Sequence, residues 1–183
     1  AHGRLSAFLG VILLAEVDMS IRVDSGHPAG EGDAPTQASS ADPHPRVFRP
    51  NGSVFRCLNA RAFGDWQRLK ATTFFSRHVA EGTIIQTEEV HRATVPGLDD
   101  RWVALLRHAA VPFISYPYEW SFGMLRHAAL LQLDLMLAAL SEGMTLKDAT
   151  PFNIQWIGSR VTFIDVGSFT HYIPGEPWAG YRQ

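Results

Sequence analysis

Two acidic residues and one amide near the C-terminal end of the chain have the types and spacing that metal-dependent phosphoryl transfer requires. Asp148 precedes Asn153 by five residues, and Asp165 follows Asn153 by twelve. The eleven residues between Asn153 and Asp165 predict two short strands joined by a Gly-Ser turn. We therefore expect the three side chains to converge at one end of a hairpin. One carboxylate would serve the attacking hydroxyl, and the amide and second carboxylate would bind magnesium.

The order Asp-x-x-x-x-Asn, then Asp-x-Gly, is that of the catalytic and metal-binding loops of protein kinases. This region resembles the protein-kinase-like fold, which includes aminoglycoside and choline phosphotransferases. The resemblance implies that Asp148 is the base, that Asn153 and Asp165 bind Mg²⁺, and that ATP donates a phosphoryl group to a small-molecule substrate. Lys147 would offset charge near Asp148 or merely face water. Many such phosphotransferases have a histidine where this chain has Leu146, which cannot make the same hydrogen bonds.

Further motifs extend the resemblance from about Arg46 to Gln183. They are similar to a family of bacterial proteins in which a kinase-like domain precedes a class I S-adenosylmethionine-dependent methyltransferase domain, and some of these proteins are labelled nodulation-related. The segments that carry the similarity are rich in aromatic residues and cover 113–122, 146–153, 163–169 and 175–183. The resemblance implies that the parent protein is a methyltransferase. Its S-adenosylmethionine site and the partner of this segment would be in a missing C-terminal methyltransferase domain.

A second hypothesis is a non-catalytic kinase-like module that binds a nucleotide, a substrate or a carrier for the attached methyltransferase. The N-terminal half shows neither a glycine-rich loop nor a strand lysine for nucleotide phosphates. Arg56 could replace that lysine, although a guanidinium is no simple substitute for a compact ammonium. Tyr118 and Trp120 lie where kinases hold adenine, and they could stack on a base or seal the junction between lobes. The Asp-Asn spacing is also compatible with ordinary turn chemistry.

The composition limits the class of protein. A chain of 183 residues that is 46% hydrophobic can form one domain with a real core. A net charge of −2 gives no electrostatic reason to expect nucleic acid or an anionic membrane as a partner. Cys57 is the only cysteine, which excludes an intrachain disulfide and fits a cytoplasmic setting.

The hydrophobic pattern predicts an α+β fold, and the resemblance implies that this fold is of the kinase-like, aminoglycoside-phosphotransferase-like kind. A reduced N-lobe is expected over residues 46–120, and a truncated C-lobe over 121–183. Residues 1–23 form an apolar segment of unknown role, in which 5–17 suggest a short buried or interfacial helix. Residues 24–45 are rich in Gly, Pro, Ser, Ala and Asp and predict a disordered linker. Because the chain does not begin with Met, we interpret it as a fragment.

Local signals place the elements that would position the site. The predictions are a hairpin over 47–58 around an Asn-Gly turn, a helix from Ala60 or Asp65 to Glu81, strands over 83–95, 103–106 and 113–118, and a helix over 122–142 capped by Ser121. The last helix is apolar on nearly every face, which is typical of a helix inside a larger domain. Without covering helices, we expect it to leave apolar surface exposed.

Overall fold

The computed structural model describes residues 47–49, 52–95, 98–178 and 180. The segments predicted over 1–23 and 24–45 lie outside these residues. Within the described part, the chain is mixed α/β, with three α-helices and eight short strands that pair antiparallel in three sheets. The finer assignment to a kinase-like fold, with its division into two lobes, stays a prediction.

A four-stranded antiparallel sheet forms the N-terminal half, in the spatial order β1-β2-β4-β3. Its strands are β1 (Val47–Phe48), β2 (Val54–Leu58), β3 (Thr87–Val90) and β4 (Ala104–His108). Val47 pairs with Arg56 and Phe48 with Phe55, which confirms the predicted N-terminal hairpin. The strand predicted over 83–95 is shorter, because Ile84 and Ile85 pair with Phe163 of a later strand instead of with this sheet.

The helix predicted to run without interruption to Glu81 is two helices, α1 (Ala60–Lys70) and α2 (Thr73–Glu81). Thr72 separates them, since its backbone is extended and its hydroxyl accepts a hydrogen bond from the Phe75 N–H as an N-cap. The predicted end of the second helix is confirmed. Gly82 follows it with φ of 75°, a left-handed conformation that glycine adopts without strain.

The strand predicted over 113–118 is wrong. The segment is irregular and ends in a 3₁₀ turn at Pro117–Glu119. Its backbone is satisfied by side chains: Ser115 donates its N–H to Gln155 Oε1 and accepts a bond from Gln155 Nε2, both at 3.0 Å. A glutamine amide therefore takes the place of a neighbouring strand.

Helix α3 (Phe122–Ser141) begins at the predicted cap, Ser121, whose hydroxyl accepts a hydrogen bond from the Met124 N–H. The face that it buries consists of small and large apolar residues, namely Ala128, Leu131, Leu135 and Ala139. Several leucines on its other side are exposed, in agreement with the apolar surface predicted for this helix. Among the described residues, α3 is the one helix long and apolar enough to cross a membrane, and length and composition alone are weak evidence for that.

Two small antiparallel pairs follow α3. The first joins β5 (Met144–Leu146) to β8 (Phe169–His171), and the second joins β6 (Ile154–Ile157) to β7 (Arg160–Phe163). The second pair confirms the hairpin predicted between Asn153 and Asp165, with its turn at Gly158. Both ends of that hairpin therefore reach the same side of the molecule.

The four-stranded sheet has apolar residues packed on both faces. Leu58 and Leu106 belong to the main core, together with residues from all three helices and the C-terminal strands. On the other face, Phe55, Cys57 and Leu105 pack with Trp102 in a smaller cluster. Alternation along β2 and β4 thus divides their side chains between two cores.

We predict that Leu105→Ala destabilises the protein by about 2–5 kcal/mol, because this fully buried side chain would leave a cavity in the smaller cluster. Val103→Ala is the matched control, since Val103 is 41% exposed and lies two residues earlier. Urea unfolding followed by circular dichroism measures both. Equal losses in the two variants would show that the second face of the sheet is not a core.

Candidate functional site

The candidate site is centred on an ion pair between Arg56 and Asp165. Phe55 and Cys57 point into the smaller core, so the alternation of β2 places Arg56 on the opposite face, toward the turn that follows β7. Its Nη2 donates to Asp165 Oδ1 in a short contact. The two side chains are 14% and 23% exposed, so the pair is largely shielded from solvent. Arg56 thus reaches the acid that the sequence assigned to a metal.

Ser168 connects the members of the site. Its hydroxyl donates to Asp165 Oδ2 at 2.5 Å and accepts a bond from Asn153 Nδ2 at 3.2 Å. Its carbonyl accepts the Lys147 N–H at 2.9 Å. The structure therefore brings Asn153 and Asp165 together around one buried hydroxyl, and it holds the Lys147 backbone on the carbonyl of the same serine. Sequence reasoning missed Ser168. Its position three residues after Asp165 could have indicated a hydroxyl within reach of that carboxylate.

The charge of Asp165 is set by opposing effects. Burial raises the pKa of this carboxyl, while the Arg56 guanidinium, the Ser168 hydroxyl, the Lys147 charge and the Gly167 N–H lower it more. The net result is a pKa below the ordinary value for aspartate, so Asp165 is ionised at neutral pH.

Gly167 allows Arg56 to approach. A Cβ atom at this position would lie 2.5 Å from Arg56 Nη1 and 3.3 Å from Asp165 Oδ1. Any larger residue would therefore push the guanidinium away from the carboxylate. The glycine of the Asp-x-Gly motif thus leaves the space beside the backbone that the Arg56 guanidinium occupies.

Asp148 and Lys147 lie in the loop after β5. Asp148 Oδ1 accepts the Thr150 N–H at 2.9 Å, which is a local Asx turn. The Lys147 side chain is exposed, and its charge acts on Asp165. The predicted base is thus held by its own loop, and no hydrogen bond or ion pair among the described residues links it to Asn153 or Asp165.

The two aromatic candidates differ in exposure. Trp120 is buried, and its Nε1 donates to Ser115 Oγ at 2.9 Å. The indole thus closes the irregular segment over 113–120, which we call the linker before α3. Tyr118 is 75% exposed, and its ring stacks parallel to Tyr116 with centroids 5.3 Å apart. Gln155, two residues after Asn153, fixes this linker through Ser115. Tyr118 is therefore the one of the two whose ring is open to a ligand.

His108 is a buried neighbour of the ion pair that sequence reasoning missed. Its Nδ1 lies 2.9 Å from Thr87 Oγ1, and that hydroxyl also donates to the Ile85 carbonyl. This arrangement makes Nδ1 the donor and leaves Nε2 as an acceptor. Burial and the Arg56 charge lower the pKa of His108 to about 4, against a smaller effect of Asp165. The ring is therefore neutral at pH 7.

Two buried nitrogens near the ion pair, His108 Nε2 and Arg56 Nε, have no hydrogen-bond partner among the described residues. His108 Nε2 is an acceptor, and Arg56 Nε is a donor. Buried polar atoms of this kind are normally satisfied, so they mark the surroundings of Arg56 as a place where a polar group would be stabilised.

Magnesium does not fit the residues as they are placed. Both Asp165 oxygens already accept bonds from Arg56 and Ser168, and the Asn153 amide donates to the same serine. Within the described residues, no group of three or more His, Cys, Asp or Glu side chains could hold a metal ion. A cation would have to displace a guanidinium that does not deprotonate.

Comparison with known proteins gives one informative match. The chain is 34% identical over 145 residues to the nodulation protein NoeA of Rhizobium meliloti (strain 1021). The alignment covers 79% of this chain and 30% of that protein, so the chain spans less than a third of the length of this relative. No family model matches the chain. The similarity supports the predicted relation to a nodulation-related bacterial protein.

We predict that the protein loses stability as the pH falls from 6.5 toward 4. In this range the unfolded chain protonates His108 while the folded protein, with the pKa at about 4, does not. The unfolded state then binds more protons, and the difference amounts to about 3 kcal/mol. The lowered pKa of Asp165 acts in the same direction at lower pH, where its carboxylate is protonated in the unfolded state first.

Urea unfolding at pH 7 and at pH 4.5 measures this effect. His108→Gln keeps a hydrogen-bonding group for Thr87 and has no titrating ring. It should therefore show a smaller difference between the two pH values than the unchanged protein. The same difference in both proteins would contradict the assignment to His108.

Proposed function

We propose that this chain is a kinase-like module of a longer nodulation-related bacterial protein, and that it binds a phosphate-bearing ligand such as a nucleotide without transferring a phosphoryl group. The observation that carries the proposal is the Arg56–Asp165 pair, in which the residue predicted to bind the metal is neutralised by the protein itself. A guanidinium in this position suits phosphate oxygens.

The surroundings of Arg56 support a ligand that carries negative charge. Arg56 and Lys147 both act on Asp165, and the neutral His108 adds no charge. The Arg56 Nε is buried without a partner among the described residues, so the side chain has an unused donor. An anion that reaches Arg56 would be attracted by the guanidinium and by the charge of Lys147.

A place for the planar part of a nucleotide is available on the linker. Tyr118 is exposed and stacked on Tyr116, and it follows by three residues the backbone of Ser115 that Gln155 binds. Gln155 on β6 follows Asn153 by two residues, and Asn153 is connected to Asp165 through the Ser168 hydroxyl. We infer that a ligand held at Arg56 could place a ring against Tyr118.

A second candidate is transfer of a phosphoryl group from Mg-ATP to a small hydroxyl compound. The observation in its favour is the contact of Asn153 and Asp165 through Ser168, with Lys147 and Asp148 in the adjacent loop. In this case Asp148 would act on the hydroxyl, and Arg56 would first have to leave Asp165. Methyl transfer and S-adenosylmethionine are proposed for another part of the longer protein on the resemblance alone.

A thermal-shift titration of the 183-residue chain with ATP, with and without magnesium, tests the proposal. We expect ATP to raise the melting temperature to the same extent with and without the metal. Arg56→Met should remove the shift, because the phosphate would lose its partner. The matched control is Arg107→Met, which removes an exposed arginine that pairs with Glu88 on the other face of the same sheet.

The competing results are distinct. A shift that needs magnesium, is lost in Asp165→Ala and persists in Asp148→Ala would favour the phosphotransferase instead. The absence of any shift with ATP would exclude a nucleotide site. A shift that Arg56→Met leaves unchanged would place the ligand elsewhere in the molecule.

A further inference from the structure

The hydrogen bonds around His108 decide which of its ring nitrogens carries the proton. The Thr87 hydroxyl donates its one hydrogen to the Ile85 carbonyl at 3.1 Å, so it can only accept from His108 Nδ1, which lies 2.9 Å away. The neutral ring therefore has its proton on Nδ1 and a lone pair on Nε2. His108 is only 7% exposed, and its Nε2 has no hydrogen-bond partner among the described residues. The fold thus holds a buried acceptor ready for a donor.

Arg56 supplies a donor on the same face of the sheet. In the register of β2 and β4, Arg56 pairs with Leu106 and Val54 pairs with His108. Arg56 and His108 are therefore diagonal neighbours, about 7–8 Å apart along the backbone and within reach of long side chains. The Arg56 charge also lowers the pKa of His108, which agrees with this proximity. Arg56 Nη2 is bound to Asp165, whereas its Nε has no partner in the part of the chain that the structure describes.

A ligand group that satisfies both nitrogens must accept one hydrogen bond and donate another. A fully ionised phosphate or a sulfate has acceptors only, so it would leave His108 Nε2 unpaired. A phosphate that retains one proton has both functions, because its ionised oxygens can accept from Arg56 Nε and its P–OH can donate to His108 Nε2. The same proton removes one negative charge beside Asp165, whose two oxygens already accept bonds from Arg56 and Ser168. Hydrogen bonding and charge therefore favour the same form of phosphate.

We propose that Arg56 and His108 together bind a terminal phosphate in its singly protonated form, and that His108 distinguishes this group from a sulfate or a phosphate diester. The proposal rests on the proposed function, in which Arg56 receives phosphate. A terminal phosphate has a second pKa of about 6, so it can carry the required proton near neutral pH, whereas sulfate esters and phosphate diesters have no proton to donate there. The side chains of Arg56 and Asp165 are 14% and 23% exposed, so the ion pair reaches the surface at which a ligand arrives.

The charged groups around His108 keep their state between pH 6 and pH 8. Arg56 on β2 and Asp165 in the turn after β7 act on His108, and Lys147 in the loop after β5 acts on Asp165. Arginine and lysine side chains are cationic throughout this range, and Asp165, with its lowered pKa, is ionised. His108, with a pKa of about 4, is neutral. The phosphate is therefore the group among these whose protonation changes in this range.

Isothermal titration calorimetry of the 183-residue chain with three adenosine ligands tests the proposal. AMP carries a terminal phosphate, its methyl ester carries a diester, and adenosine 5′-sulfate carries a sulfate on the same sugar and ring. We expect AMP to bind about tenfold to a hundredfold more tightly at pH 6 than either analogue, since each analogue leaves a buried acceptor unpaired. The affinity for AMP should fall about fiftyfold from pH 6 to pH 8, as the protonated fraction of its phosphate falls.

Proton uptake gives a second measurement that a merely structural role of His108 would not affect. Titrations at pH 7 in two buffers of different ionisation enthalpy should show uptake of about 0.9 proton per AMP, because about nine-tenths of free AMP has lost that proton at this pH. The two analogues should show none. His108→Leu removes the acceptor and should abolish both the preference for AMP and the proton uptake. His108→Gln should retain part of both, because its amide can donate to Thr87 and leave its oxygen as an acceptor. The matched control is His91→Leu, which changes an exposed histidine after β3 and should behave like the unchanged protein.

The opposing results separate this proposal from the proposed function. If neither ATP nor AMP binds, the proposed function fails and the role of His108 fails with it. Equal affinities for AMP and its two analogues, lost in Arg56→Met, would leave the proposed function in place and overturn the binding of a protonated phosphate. A preference for AMP that persists in His108→Leu would overturn the role of His108. If His108→Leu does not fold, the three ligands and the proton uptake of the unchanged protein still decide, and a lack of uptake overturns the proposal.

Discussion

The contact between Arg56 and Asp165 is the constraint on which the rest of the site depends. It joins the four-stranded sheet to the turn after β7, two parts of the chain separated by 109 residues. Both groups are charged and mostly buried, so neither can lose its partner without leaving an uncompensated charge, which typically costs about 3–5 kcal/mol. The glycine at 167 and the hydroxyl at 168 follow from this contact, because the first makes room for the guanidinium and the second satisfies the remaining carboxylate oxygen.

Hydrogen bonds and strand β6 connect the Arg56–Asp165 pair to the linker before α3. Ser168 binds the Asn153 amide, β6 continues directly from Asn153, and Gln155 on that strand holds the backbone of Ser115. This anchor lies three residues before the exposed Tyr118, whose ring stacks on Tyr116.

Local sequence signals predicted those features whose causes are local. Gly82, Ser121 and the Gly-Ser turn at 158 each act within a few residues, and the helix end, helix start and hairpin that they predicted are present. Long-range features were not predictable in the same way. The segment 113–118 has β-forming residues, yet its backbone partner is the side chain of Gln155, forty positions away. His108 looks like an ordinary strand residue until the fold places it near Arg56.

The balance of charge around Arg56 decides which ligands the arrangement favours. At about 4 Å and an effective dielectric constant near 20, two unit charges interact by about 4 kcal/mol. A bare cation that approaches Asp165 meets that repulsion from a guanidinium that stays protonated, and it gains only oxygens that already accept hydrogen bonds. An anion that approaches Arg56 meets the opposite sign and an unused Nε donor. Asp165 then still has Ser168 and the charge of Lys147 as compensation. The electrostatics therefore favour a ligand that carries phosphate over a metal ion alone.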